Sequence, residues 1–178
     1  GVPFWAYSGL EDSVRPIVTE ESSTGAVEAY RALRTTIVKE MEKVNENILL
    51  VTSADSQEGK TLTALNLAII TAQMKKRVLL IDMDLRRGRI HKSLGLSRVP
   101  GVTDALKRNV DLKDVVMPTR VENLWFAPCG NTIENAAELL QETDLHAFFE
   151  EAGKMYDYVI VVTSPVLRVT DTVISASQ

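Results

Sequence analysis

The amino-acid sequence predicts an α/β fold with three layers, α/β/α, built around a mainly parallel sheet. Short, continuous apolar runs recur along the chain, and such runs are typical of strands that are buried on both faces. Segments with helical spacing of apolar residues separate these runs, an alternation that indicates helices on both faces of the sheet. The composition agrees, because 178 residues with 45% hydrophobic and 25% charged residues are ordinary for one compact domain.

The predicted elements follow one another in a simple order. Residues 1–23 show no sustained period and are interpreted as an irregular arm, whereas residues 24–178 form the domain. Strands are predicted at 48–52, 78–81, 124–127 and 158–162, with helices between the first two strands and around 135–155. The first strand, its helix and the second strand form a βαβ unit with a right-handed crossover. A helix is also predicted over 24–44 from apolar residues spaced by three or four, which are Ala26, Tyr30, Leu33, Ile37, Met41 and Val44.

The charge balance and the residue usage argue against several classes of function. A formal net charge of −4 disfavours a nucleic-acid partner, since neutralising phosphates requires a basic surface. No apolar run reaches the roughly 20 residues of a membrane span. The one cysteine, Cys129, could not supply a disulfide framework, and we expect it to lie in a tight loop without a metal-binding or nucleophilic role.

The loop between the first strand and its helix carries the pattern of a phosphate-binding loop. From Ala54 to Thr61 it has a small residue, four free positions and then Gly-Lys-Thr. Gly59 lets the backbone turn close to a phosphate, Lys60 reaches the outer phosphates, and the Thr61 hydroxyl can bind Mg²⁺. The alternative is a strand-to-helix turn that contains this tripeptide by chance. The position between a strand and a helix favours a nucleotide site, whose candidate residues are Asp55, Ser56, Gln57, Glu58, Gly59, Lys60, Thr61 and Leu62.

A second polar group follows the second strand. Asp82 and Asp84 are two residues apart, so both point to one side of an extended segment at the carboxyl edge of the sheet, where α/β proteins hold ligands. They could hold a hydrated Mg²⁺ and accept a proton from a nucleophile, whereas the alternative is a solvated strand end with surface ion pairs. Beside a phosphate loop we favour the functional interpretation. The following arginines could contact an anion or form a solvated face; they are Arg86, Arg87 and Arg89, with Arg86 the candidate nucleotide contact.

With these two motifs in this order, the sequence resembles the bacterial tyrosine kinases, the phosphate-loop kinases that accompany capsule and exopolysaccharide export. The resemblance runs from about residue 28 to residue 178, and its most specific part is the Asp-x-Asp-x-Arg run at Asp82, Asp84 and Arg86. Further matches lie at 100–104, 121–124, 138–140 and 156–160. The resemblance implies a phosphate-loop (P-loop) fold that binds ATP or ADP with Mg²⁺.

The family's activity also implies roles and partners. Lys60 would stabilise charge on the transferred phosphoryl group, and Asp82 or Asp84 would orient the metal, together with Thr61, and deprotonate a tyrosine hydroxyl. The domain would be an autokinase that regulates polysaccharide polymerisation and export. The implied partners are other copies of the chain in a ring, a transmembrane polysaccharide co-polymerase, fused or separate, and a tyrosine phosphatase. The implied location is the cytoplasmic face of a bacterial plasma membrane.

The N-terminal helix carries a further match. Glu28, Arg31 and Arg34 are similar to the family's Glu-x-x-Arg-x-x-Arg motif, which packs one subunit against the nucleotide-site region of the next. On a helical projection they form a band beside the apolar stripe, which alone would indicate a solvated face with an i to i+3 ion pair. With the resemblance we predict a subunit interface here and an oligomerisation helix over 24–44.

Two departures from the family pattern matter. The last strand carries Val162 where the family's Walker B aspartate belongs, so one carboxylate of the metal site is missing. The chain also stops before the family's remaining strands and tyrosine tail, so we expect a domain that lacks its C-terminal strands. Two alternatives stay open. One is a catalytically weak nucleotide-binding assembly module, favoured by Val162, and the other is a partition-type ATPase, which usually has a second lysine where this chain has Asp55.

Overall fold

The structure is a computed structural model that describes residues 24–52 and 57–164, except for the side chains of residues 57 and 58. The predicted arm at residues 1–23 lies outside the described residues. None of the described helices is both long and apolar enough to cross a membrane. The elements in chain order are α1 Gly25–Val44, β1 Ile48–Val51, α2 Gln57–Ala72, β2 Val78–Asp82, α3 Ile90–Leu94, α4 Val102–Leu106, α5 Leu112–Val115, β3 Met117–Pro118, β4 Leu124–Ala127, α6 Ala136–Glu142, α7 Leu145–Met155 and β5 Tyr158–Val162.

The described strands form one sheet in the order β1-β5-β2-β4-β3. Neighbouring strands run parallel except for β3, a two-residue edge strand that pairs antiparallel with β4. Val162 at the end of β5 pairs with Val51 on one side and with Asp82 on the other, so three strands end side by side at the carboxyl edge. The predicted mainly parallel sheet and its four predicted strands are confirmed.

Alternate residues of each strand point into two separate cores, one on each face of the sheet. In β2, Val78 and Leu80 face the core that is built with α1, α2 and α3. Leu79 and Ile81 face the core that is built with α4, α5, α6 and α7. All four side chains are fully buried. Helices on both faces confirm the predicted three-layer arrangement and place the strand ends between two packed layers.

Helix α1 forms where the sequence predicts, but its packed face includes only part of the predicted apolar stripe. Its buried residues are Val27 and Met41, and Arg34 lies between them on the same face because residues seven apart fall nearly in line on a helix. Arg34 and Ile37 line a small cavity against α2 together with Met41. The predicted apolar stripe is therefore wrong in part, and its exposed members are Ala26, Leu33 and Val44.

Candidate functional site

The phosphate-loop pattern lies at a junction between a strand and a helix, as predicted. β1 ends at Val51 and α2 begins six residues later, with Gly59 exposed in its first turn. The first amides of a helix have no partners within the helix and carry partial positive charge, so they attract anions. Thr61 and Leu62 follow in α2 and are partly exposed. Of the other candidates, Asp55 and Ser56 lie outside the described residues, and only the backbone is described for Gln57 and Glu58.

Lys60 is the buried cation of the site. It is 6% exposed, and its Nζ donates a hydrogen bond to the carbonyl oxygen of Thr163 at 2.9 Å. The same Nζ lies 3.5 Å from Oδ2 of Asp84. The amide of Thr163 donates to the carbonyl of Val51 at 3.1 Å, which fixes the end of β5 against β1. These contacts matter because a buried charge without partners is strongly destabilising. The fold thus holds the ammonium at the carboxyl edge of the sheet.

Asp82 is the most deeply buried acid of the site, with 1% exposure at the end of β2. Its Oδ1 accepts a hydrogen bond from the amide of Asp84 at 3.2 Å, and its Oδ2 accepts one from the amide of Ile90 at 3.3 Å. Burial raises the pKa of Asp82 to about 7, and the charge of Asp84 adds to the rise, whereas the two amides and Lys60 lower it. Asp82 therefore holds both ends of the loop that follows β2.

That loop, residues 83–89, packs tightly against Asp82. The amide of Gly88 donates to the carbonyl of Asp84 at 2.7 Å, and Oδ1 of Asp84 accepts from the amide of Arg87 at 3.2 Å. A Cβ atom at Gly88 would lie 2.6 Å from Oδ2 of Asp82 and 2.7 Å from Sγ of Cys129. Such distances are too short for a real Cβ, so glycine is needed for the close approach. This role of Gly88 was not predicted from the sequence, in which its signal is a lone glycine inside a charged run.

Cys129 follows β4 and belongs to the packing of the site. It is fully buried, and burial raises the pKa of its thiol to about 12, with the charge of Asp82 adding to the rise. A thiol with such a pKa stays protonated at neutral pH and is a poor nucleophile. The expected tight loop agrees with this position between β4 and Gly130, whose φ is positive.

The residues that the structure brings together suit Mg²⁺ held jointly with a phosphate. Mg²⁺ binds hard oxygen donors and usually takes one or two carboxylates in addition to phosphate oxygens and water. Within the described part of the chain, no group of three or more His, Cys, Asp or Glu side chains is arranged to hold a metal. The protein residues whose oxygen atoms fit Mg²⁺ are Thr61, Asp82 and Asp84. The side chain of Arg86 is exposed.

Val162 occupies the position next to Asp82 on the same face of the sheet. The two residues are register partners in β5 and β2, and Val162 is 1% exposed in the core that also contains α2. An aspartate at this position would stand directly beside Asp82. Because valine has a hydrocarbon side chain, position 162 supplies no carboxylate to the site.

The three residues predicted for a subunit interface differ in their surroundings. Arg31 and Glu28 form an ion pair on the outer surface of α1, as expected for the alternative of a solvated face. Arg34 instead donates a hydrogen bond to the carbonyl of Ile70 in the last turn of α2, at 2.7 Å. The prediction that Arg34 belongs to a band beside the packed face is wrong, because the packed face includes it. An arginine at a helix C-terminus satisfies carbonyls that lack helical partners.

Comparisons with known proteins identify the family to which this chain belongs. A family model described as an AAA domain matches residues 47–177. Over 149 residues the chain is 38% identical to the tyrosine-protein kinase wzc of Salmonella typhi, a match that covers 84% of this chain and 21% of that protein. The kinase domain of the Escherichia coli tyrosine kinase ETK superposes with a TM-score of 0.75 at 37% identity, over 81% of this chain and 56% of that one. The chain belongs to the bacterial tyrosine kinase family.

Membership in the bacterial tyrosine kinase family bears on the alternatives for the function that the sequence left open. The cell division ATPase MinD of Pyrococcus furiosus has a TM-score of 0.56 at 20% identity, which is a likeness of fold alone. The partition-type alternative is therefore not favoured. The chain spans about a fifth of the length of the curated kinases it matches and a little over half of the ETK kinase domain.

Proposed function

We propose that this chain is part of an ATP-dependent protein tyrosine kinase that serves a polysaccharide export system. The observation that carries the proposal is the buried ammonium of Lys60. Lys60 lies in the first turn of α2, and its ammonium contacts the carbonyl of Thr163 and the carboxylate of Asp84. A fixed cation beside a helix N-terminus is what a transferred phosphoryl group requires, because positioning and electrostatics dominate such reactions. The tyrosine specificity rests on the identity with named tyrosine-protein kinases.

Asp82 and Asp84 would have different roles in the reaction. Asp84 is the more accessible, at 7% exposure against 1% for Asp82, and would accept the proton of the acceptor hydroxyl. Asp82 would hold the loop that carries Asp84 through its bonds to the amides of Asp84 and Ile90. Lys60 would offset charge on the phosphoryl oxygens. Bound Mg²⁺ would supply further charge neutralisation, with Thr61, Asp82 and Asp84 as its protein donors.

Val162 supports a second candidate function, an assembly module that binds nucleotide with little transfer. The test compares three proteins that contain this domain within the full-length chain: the wild type, Val162→Asp and the neutral, similarly shaped Val162→Asn. Each is supplied with labelled ATP and Mg²⁺, and phosphotyrosine is measured along with nucleotide binding. We expect phosphotyrosine in the wild type and a faster rate in Val162→Asp, with no gain in Val162→Asn.

The outcomes separate the two candidates. If all three proteins bind ATP and none forms phosphotyrosine, the kinase proposal fails and the assembly module stands. If Val162→Asp unfolds, which thermal melting would detect, the wild type and Val162→Asn still decide whether phosphotyrosine forms. The two buried carboxylates of Val162→Asp repel each other, so we expect a lower Tm for this variant than for Val162→Asn.

The proposed assembly is a ring in which α1 contacts the site of a neighbouring copy. Arg31 is the residue to test, because its side chain is on the outer surface of α1 whereas Arg34 is held by its own α2. We expect Arg31→Ala to lower the mass of the oligomer in solution while leaving the Tm unchanged. An unchanged mass would contradict the interface. By the same resemblance, we propose a transmembrane co-polymerase and a tyrosine phosphatase as partners and the inner face of the plasma membrane as the location.

A further inference from the structure

A strongly basic segment lies next to the proposed site. From residue 85 to residue 103 the sequence contains five basic residues and no acid, although the whole chain has a net charge of −4. The basic residues are Arg86, Arg87, Arg89, Lys92 and Arg98. All but Arg98 are exposed. Clustering of one sign of charge in an acidic chain is the pattern expected of a surface that attracts an oppositely charged partner.

Within the described part of the chain, the guanidinium groups of Arg87 and Arg89 have no acidic partner. Neither guanidinium makes an ion pair or a hydrogen bond to another described residue, in contrast to Arg98, whose Nε donates to the carbonyl of Gly130 at 2.6 Å. Arg98 is therefore a structural residue, whereas the guanidinium groups of Arg87 and Arg89 hold no described part of the chain in place. We call Arg87, Arg89 and Lys92 the basic rim.

The basic rim is carried on a loop that is fastened to the catalytic candidates. Arg87 and Arg89 flank Gly88, whose Cα hydrogens face Asp82 and Cys129 at a distance that leaves no room for a side chain. The amide of Arg87 is bonded to Asp84, and the amide of Ile90, next to Arg89, is bonded to Asp82. The backbone of Arg87 and Arg89 is therefore held close to the two carboxylates, and both side chains are exposed. The basic rim and Asp84 therefore belong to one short segment that is fastened to Asp82.

We propose that the basic rim binds carboxylate side chains that flank the acceptor tyrosine, so that the site selects acidic tyrosine segments. This inference rests on the proposed kinase function. Arginine suits the task, because its planar guanidinium forms paired hydrogen bonds with carboxylates. The attraction also offsets a cost, since the buried acids Asp82 and Asp84 would otherwise repel an acidic segment. Bound at the rim, such a segment would present its hydroxyl to Asp84.

The test uses two peptides with one tyrosine each, one flanked by glutamates and a control flanked by glutamines. Binding is measured by fluorescence anisotropy without catalysis, and phosphorylation is measured separately with ATP and Mg²⁺. The variant is Arg87→Gln/Arg89→Gln in the full-length protein. The matched control is Lys75→Gln/Lys76→Gln, which removes the same charge from two exposed lysines at the opposite edge of the sheet.

We expect the acidic peptide to bind at least about tenfold more tightly than its control, and Arg87→Gln/Arg89→Gln to remove most of that preference. Its KM for the acidic peptide should rise while its KM for ATP stays the same, and added salt should weaken binding of the acidic peptide by the wild type. The lysine variant should keep the preference.

Three results would overturn the inference. They are equal binding of the two peptides by the wild type, an intact preference in the arginine variant, and a rise in the KM for ATP, which would assign the rim to the nucleotide. Failure of the kinase proposal has a different signature. In that case, neither peptide becomes phosphorylated although the acidic peptide still binds with the expected preference.

Discussion

The two edges of the sheet handle charge in opposite ways. At the carboxyl edge, Lys60 and Asp82 are almost completely buried, and burial raises the pKa of Asp82 to about 7. At the amino edge, Arg77 is exposed, and its guanidinium stacks 5.2 Å from the ring centroid of Trp125 and 5.1 Å from that of Tyr156. Burial of charge at the carboxyl edge costs free energy of folding but favours phosphoryl-transfer chemistry. The stacking of Arg77 on two aromatic rings stabilises the fold.

The contacts at the amino edge explain why it should be the more stable of the two. The guanidinium of Arg77 donates to the carbonyl of Met155 at 3.0 Å, and its amide donates to Asp157 at 2.8 Å. Asn47 donates from its side chain to the carbonyls of Gly153 and Tyr156. These bonds connect β1, β2 and the end of α7. We therefore expect the amino edge of the sheet to be more stable than the carboxyl edge, which carries the proposed site.

The largest effect is expected from Lys60→Met, which removes the buried cation of the carboxyl edge. The rate of phosphoryl transfer should fall by about 10²–10³-fold, because one preorganised electrostatic group typically contributes that much. The Tm should also fall, because the carboxylate of Asp84 and the carbonyl of Thr163 lose a buried partner. Steady-state kinetics and thermal melting check both statements. A large loss of stability with little change in rate would mean that Lys60 is structural.

A smaller effect is expected from Gly88→Ala. The new Cβ would meet Asp82 and Cys129 below 3 Å, and overpacking of this kind costs about 1–3 kcal/mol in the free energy of unfolding. The rate should also fall, because the loop holds Asp84. The control is Gly25→Ala, where a Cβ meets nothing within 4 Å. Adding Cys129→Ala should restore part of the lost stability, and additive effects of the two substitutions would contradict the proposed contact.

At the amino edge, Arg77→Met should lower stability without changing the chemistry. Loss of the stacking and of the bond to the carbonyl of Met155 should reduce the free energy of unfolding by about 1–2 kcal/mol. The rate per folded molecule should be that of the wild type, as urea denaturation and kinetics on the same sample can show. A loss of rate at full folding would show that the two edges are coupled and would weaken the distinction drawn between them.

The smallest effect concerns His91, which lies in α3 behind the basic rim. It is 9% exposed, and its Nδ1 has no hydrogen-bond partner among the described residues. Burial lowers the pKa of His91, and the charges of Arg98 and Lys92 lower it further. The unfolded chain therefore takes up a proton near pH 6.5 while the folded chain does not, so stability should fall as the pH drops through about 6.5.

His91→Gln should make that decline shallower. The measurement is the free energy of unfolding by urea at several pH values on either side of 6.5. His146→Gln, at an exposed position of α7, serves as the control. An identical pH dependence in the wild type and in His91→Gln would show that His91 is protonated equally well in the folded chain.

Strands and motifs were predictable from the sequence because they depend on local pattern. Continuous apolar runs predicted four of the five described strands, and the phosphate-loop pattern located the start of α2. The short helices α4 and α5 and the two-residue strand β3 were not predicted, because elements of five residues or fewer are too short for a periodicity to appear.

The rest of the site depends on contacts between residues far apart in the chain. The face through which α1 packs was predicted only in part, because Arg34 on that face bonds a carbonyl of α2, and such a bond leaves no trace in the hydrophobic pattern. The carbonyl of Thr163 that holds Lys60 could not be anticipated either, since any residue type offers a carbonyl. The fit of Gly88 between Asp82 and Cys129 likewise requires the folded loop.

The fate of the terminal phosphoryl group of ATP tests the central claim most directly. The full-length protein is incubated with ATP labelled at that position, Mg²⁺ and a tyrosine peptide, and the label is counted in phosphotyrosine and in inorganic phosphate. A site in which Lys60 and Asp84 suffice without a carboxylate at position 162 predicts label in phosphotyrosine, abolished by Lys60→Met. Label that is released only as inorganic phosphate, or that stays in ATP although ATP binds, would contradict the account.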